Sequence, residues 1–211
     1  MNKGPLLFLG IFAALAVSWA VLVPVAQRQF GETPPYYDDT EGAPFPYQPA
    51  GLVVRGQAVY QDLGCAACHT QQVRRPDLGT DYARGWGERQ SVARDYLYQA
   101  RPQLGQNRIG PDLANFGDRA AKATPPLTAE KLYDLLRQGP PGMPAYPFLF
   151  TLRPVDGQRA LQAIPGAAPA GRQLVPTHRA EELVAYLLSL RQEYTYPEAL
   201  PLAPPSEPPS P

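Results

Sequence analysis

The chain has 211 residues, 27 of them proline, and 19 basic side chains balance 19 acidic ones. That balance excludes a nucleic-acid surface built on excess positive charge, and proline clustered in two stretches confines the folded part to roughly residues 50–195. A core of that size gains from a large apolar group at its centre.

The first element is an uncharged, apolar run from Gly4 to Gln27, long enough to cross a hydrocarbon core of about 30 Å as a helix. A secretory signal is the competing reading, but its apolar region is usually only about 7–15 residues. The only small-residue cleavage candidate here is the weak Pro24-Val25-Ala26. Residues 1–30 are therefore expected to be an uncleaved anchor with its flanks. Lys3 precedes the span, and Glu32, Asp38, Asp39 and Glu41 outnumber Arg28 after it. The positive-inside bias predicts a single pass with a cytoplasmic N-terminus and everything else outside, which in a bacterium is the periplasm.

Residues 31–50, rich in proline, read as a semi-stiff linker. Leu52, Val53, Gly56, Val59, Tyr60 and Leu63 then recur at helical spacing, and Gly64 stops that helix just before Cys65. Between residues 71 and 108 stand Arg74, Arg75, Arg84, Arg89, Arg94, Arg101 and Arg108, against Asp77, Asp81, Glu88 and Asp95. Two readings stay open for them: a solvated loop, or a set of partners for a docking surface or for carboxylates of a bound group. Thr128 reads as an N-cap, Leu132, Leu135 and Leu136 as an apolar stripe, and Gly139 as a stop. A last helix is expected near Thr177, with Glu181 and Glu182 in its first turn and Leu183, Tyr186, Leu187 and Leu190 along one face. Nothing alternates as a strand. Residues 196–211 read as a disordered proline-rich tail, which leaves 51–195 as the single folded domain, mostly helical with long proline-rich loops.

The chemistry sits in Cys65-Ala66-Ala67-Cys68-His69. Two thiols on one turn can each form a thioether to a haem vinyl group, and the adjacent imidazole then faces the iron; C-x-x-C-H is the haem attachment signature. A zinc site needs three or four protein ligands, and only Cys65, Cys68, His69 and His178 are on offer as cysteine or histidine. A thioredoxin-like pair needs a βαβ setting that is absent. For the opposite axial position of the iron, Met143 in Gly139-Pro140-Pro141-Gly142-Met143-Pro144 is held by prolines on both sides, unlike a core methionine on a helical stripe. His178 is its rival. A histidine–methionine pair leaves no open coordination site and raises the reduction potential, which suits one-electron transfer. Pro111, in Gly110-Pro111-Asp112-Leu113, is a candidate carbonyl partner for the other ring nitrogen of His69, an ordinary turn being the alternative.

The order of a G-x-x-x-Y helix, CAACH, GPDL, a methionine loop and a closing helix with Tyr186 resembles class I c-type cytochromes. More narrowly, CAACHTQQVRRP, ERQSVARDYLYQARPQLG, NRIGPDLANFG and MPAYPFLF are similar to the mono-haem subunit II of cbb3-type cytochrome c oxidases, the FixO-like family. The resemblance implies a class I cytochrome c-like helical domain behind one transmembrane helix, with Gly56 letting the first and last helices cross. It implies one covalent haem c on Cys65 and Cys68, His69 and Met143 as axial ligands, and Pro111 behind His69. It further implies a subunit non-catalytic by itself, in the bacterial inner membrane. Electrons would arrive from a di-haem cytochrome c subunit or a soluble cytochrome c and leave to a haem–copper catalytic subunit. The alternatives are the small mono-haem subunit of a nitric oxide reductase, a stand-alone membrane-bound cytochrome c, and a haem enzyme or gas sensor with an open site. Residues 119–138, 151–177 and the tail depart from the family pattern.

Overall fold

The computed structural model describes residues 3–31, 33–192 and 194–199; of the tail reading, residues 200–211 lie outside the described residues. Its opening helical run, Gly4–Gln29, is long and apolar enough to cross a membrane by length and composition, and none of it is buried against the rest of the chain. Within the run, α1 (Gly4–Ala20) passes through a π-helical turn at Val21–Val25, which holds Pro24, into α2 (Ala26–Gly31). The π turn is the usual accommodation of a ring that removes one backbone donor. Leucine, phenylalanine and valine occupy all sides of α1, so no polar face exists to meet water.

The rest is mostly helical around one core. α3 (Gly51–Asp62) ends where Gly64 takes a left-handed conformation (φ 70°), which turns the chain into the 3-10 turn Cys65–Ala67. α4 (Phe116–Lys122) follows the 110–114 segment. α5 (Ala129–Gln138) is capped by Thr128, whose hydroxyl accepts from Lys131 N, and stops at Gly139. α6 (His178–Ser189) is capped by Thr177 accepting from Ala180 N. The stops at Gly64 and Gly139 and the caps at Thr128 and Thr177 fall where the sequence places them.

α3 and α6 make the most extensive helix–helix contact. A Cβ on Gly56 would lie 1.9 Å from the carbonyl oxygen of Glu182 and 2.6 Å from Cβ of Tyr186, so only glycine permits this approach. One turn on, the rings of Tyr60 and Tyr186 meet edge to face at 5.4 Å. Leu132, Leu136, Leu183, Val184 and Leu187, with Leu149, Phe150 and Ile164, complete the core.

Contrary to the expectation of no strands, two short antiparallel pairs are present. β3 (Phe150–Pro154) pairs with β4 (Arg172–Pro176), Leu152 opposite Leu174. The period of two was masked because polar Gln173 takes an inward position. Its amide oxygen accepts from Ala160 N at 2.7 Å and its NH2 donates to the Pro154 carbonyl at 3.2 Å. The loop between the strands returns Ile164 to the core, with Ile164 N donating to Leu174 O at 2.9 Å.

Inside the stretch read as a linker, β1 (Tyr36–Asp38) pairs with β2 (Ala43–Phe45). Phe45 stacks on Tyr194 at 4.0 Å, Tyr196 and Ala199 are buried, and Arg89 and Arg94 lie over the Tyr196 ring at 5.1 and 5.6 Å. The Thr40 hydroxyl and the Tyr194 phenol donate to Asp38 and hold its carboxyl down at about 2.

Two outcomes are expected. Gly56→Val should lower unfolding stability by about 2 kcal/mol or more, read by denaturant unfolding, because backbone cannot retreat from the added methyl groups. A carboxyl depressed in the fold stabilises above its ordinary value near 3.8 and loses that contribution as pH falls through about 2. The Tyr194 ring signals should therefore shift toward solvent-exposed values between those limits, and in Asp38→Asn they should not.

Candidate haem-binding cleft

The crossing of α3 and α6 leaves an apolar cleft of about 440 Å³ beside it. Cys65, Cys68 and His69 line one part of its wall; Pro140, Pro141, Gly142 and Met143 line another. Leu113, Phe116, Leu132, Leu136 and Leu187 form the apolar lining between them. The cleft thus gathers Cys65, Cys68, His69, Pro111 and Met143 from three separate parts of the chain.

Locally, the residues after α3 are held by backbone bonds: His69 N donates to Cys65 O at 3.0 Å and Cys68 N to the same oxygen at 3.2 Å. The cysteines are not joined to each other. Burial pushes the Cys65 thiol up to about 11, opposite to the lowered value of a reactive redox thiol. Such a thiol lends no support to the thioredoxin-like reading. Among the described residues, no three His, Cys, Asp or Glu side chains form a group placed to hold a metal ion.

His69 Nδ1 lies 2.8 Å from the carbonyl oxygen of Pro111. A carbonyl only accepts, so Nδ1 carries a proton, and in the neutral ring the lone pair is then on Nε2. A Cβ on Gly110 would lie 2.2 Å from His69 Cε1 and 2.6 Å from Nδ1. The ring therefore occupies the space that any larger residue at 110 would need. Met143 is anchored by its own loop: Met143 N donates to Pro140 O at 2.9 Å, and Tyr146 N ties the loop's far end to Leu136 O at 2.8 Å. His178, the rival ligand, has a 98% exposed side chain beside Glu181 at 3.1 Å, and it does not line the cleft.

The sequence reading did not single out the cleft walls Leu113 and Phe116 or the steric role of Gly110. Glycine directly before the proline of GPDL was the one available signal for the latter. Leu132 and Leu136 were read only as a helix stripe; the fold turns that stripe toward the cleft.

The chain matches the family described as cytochrome c oxidase, mono-heme subunit/FixO over residues 3–175, and it belongs to that family. No curated protein matches it. The family's members are mono-haem subunits with an electron-transfer role in cytochrome c oxidase, which implies one haem here. The cleft suits such a group: apolar walls, two unpaired thiols, an imidazole with its free nitrogen fixed, and a thioether.

Gly110→Ala should push the imidazole aside, because a methyl group cannot share its volume. Overpacking of this kind costs about 1–3 kcal/mol. The mature variant is expected to carry less haem per polypeptide, measured as the ratio of Soret to protein absorbance.

Proposed function

We propose that this FixO-family subunit is a membrane-anchored electron carrier of a cbb3-type terminal oxidase. It holds one covalent haem c through Cys65 and Cys68, with His69 and Met143 as axial ligands, and exchanges single electrons between a cytochrome c donor and the haem–copper catalytic subunit. The observation that carries this reading is the meeting of Cys65, Cys68, His69 and Met143 on one apolar cleft, with His69 already oriented by Pro111.

Haem held there supplies a one-electron ferric–ferrous couple. The remaining work belongs to the chain. Cys65 and Cys68 tether the group to the turn after α3. The Pro111 carbonyl keeps a proton on Nδ1, so that Nε2 would be the nitrogen offered to the iron. Prolines 140, 141 and 144 limit the freedom of the Met143 loop, and the leucine-rich wall excludes water. Were His69 and Met143 both to hold the iron, no site would be left for oxygen, which supports a subunit that is non-catalytic by itself.

The close α3–α6 crossing through Gly56 supports a class I cytochrome c-like arrangement of the domain. Lys3 before the apolar helix, and the acidic excess after it, support a cytoplasmic N-terminus and a periplasmic cytochrome domain in a bacterial inner membrane. A di-haem subunit of the same complex, or a soluble cytochrome c, is the donor this reading expects.

Three measurements test it. The intact mass should equal the polypeptide plus one haem, unchanged by acid–acetone extraction. Met143→Ala should abolish the methionine–iron charge-transfer band, lower the reduction potential and let the reduced protein bind carbon monoxide. Oxygen consumption by the purified complex should then fall by about tenfold or more, the scale seen when even an outer partner of a metal ligand is removed. Full turnover and an unchanged potential in that variant would refute the assignment of Met143.

A further inference from the structure

Behind His69 the chain makes an arrangement that neither haem attachment nor ligation requires. Residues 68–72 run beside residues 110–114, joined by a row of hydrogen bonds. Gly110 N donates to Cys68 O at 2.9 Å and Leu113 N to Thr70 O at 2.7 Å. At the middle of the row sits the carboxylate of Asp112, with no solvent exposure at all. Its Oδ2 accepts from the Thr70 hydroxyl at 2.5 Å and from Gln72 N at 2.8 Å; its Oδ1 accepts from Ala114 N at 2.8 Å. Arg108 stands 3.7 Å away, donates to Gln72 O at 2.5 Å and pairs with buried Asp81. Arg119 donates to the backbone carbonyl of Asp112 at 2.5 Å.

We infer that Asp112 is a positioning residue for His69: by bonding both sides of this row, its carboxylate holds the Pro111 carbonyl on His69 Nδ1 and thereby sets the electron-donating strength of the imidazole. The geometry carries the argument. Pro111 is the residue before Asp112 and His69 the residue before Thr70, so the Asp112–Thr70 bond and the Pro111–His69 bond are adjacent rungs of one row. Pro111 is itself exposed and offers the ring only its carbonyl. Its place is therefore set by its neighbours. A buried carboxylate with three hydrogen bonds and a guanidinium nearby resists displacement, since losing any partner leaves a desolvated charge short of compensation.

An imidazole whose Nδ1–H bonds a carbonyl donates more electron density through Nε2, which favours ferric iron. Loosening the row should therefore raise the reduction potential. This inference rests on the haem reading above.

The test uses the full-length mature protein and two variants. Thr70→Val removes one donor to Asp112 and leaves every charge in place. Asp112→Asn removes the charge, and its single amide oxygen serves either Thr70 and Gln72 or Ala114, not both. In both, the reduction potential should rise, and the His69 Nδ1 proton in the reduced protein should exchange with solvent about tenfold faster, the factor that one lost hydrogen bond of ordinary strength produces. Haem content by pyridine haemochromogen should stay at one per chain. An unchanged potential and exchange rate in both variants would overturn the inference. So would a potential that rises in Asp112→Asn alone with the proton unaffected, because Asp112 would then act through its charge only. Should Asp112→Asn fail to mature, Thr70→Val decides by the same two readouts. A wild-type protein giving no haemochromogen would instead overturn the haem reading, and this inference with it.

Discussion

The ring of His69 lies where a side chain on residue 110 would be, and that shared volume ties the two halves of the site together. Because residue 110 has no Cβ, the 110–114 segment can lie flat against 68–72 and present the Pro111 carbonyl to Nδ1. Those bonds satisfy backbone groups that would otherwise be stranded between the cleft and the interior. The imidazole is consequently oriented by the polypeptide itself. Orientation fixed in the folded chain limits the rearrangement needed when charge changes at the site.

A second close approach supports the first. Gly56 lets α3 and α6 cross at backbone distance, and the end of α3 delivers Cys65 through the left-handed turn at Gly64. α6 in turn supplies Leu187 to the cleft wall and Tyr186 to a buried bond with Gln71, its hydroxyl donating to the amide oxygen at 2.9 Å. The crossing therefore couples the attachment turn, the cleft wall and the residues behind His69. Burial in apolar surroundings also strengthens electrostatic effects, including that of the buried charges near Asp112.

The arginine-rich stretch divides between interior and surface. Arg89 forms a buried, two-pronged pair with Asp95 and lies over Tyr196; Arg108 is committed to Asp81 and Gln72. Arg94 bonds Glu198 at 2.5 Å and also the Pro34 carbonyl, so it links the chain before the β1–β2 hairpin to the C-terminal residues. Buried pairs of this kind contribute little net stability compared with apolar replacements, but breaking one partner costs about 3–5 kcal/mol. They specify how loops without secondary structure are placed. Arg74, Arg75, Arg84 and Arg101 remain exposed to solvent.

Sequence alone determined the features that depend on neighbouring residues: the Cys65-Ala66-Ala67-Cys68-His69 spacing, the caps at Thr128 and Thr177, the stop at Gly64 and the apolar run at the N-terminus. Each follows from chemistry within a turn or two of chain, so it can be read without a fold. Tertiary structure decided the rest. Gln173 hid a strand because its inward amide is satisfied by residues far along the chain, and no local pattern records such a partner. Folding laid the methionine loop against the cleft and left His178 in solvent, and no pattern near either residue records those placements. Asp112 looked like one residue of a turn; only the pairing of 68–72 with 110–114 made it a buried charge at the back of the site. The physical reason is common to all three, since burial and long-range hydrogen bonding exist only once distant segments share the same space.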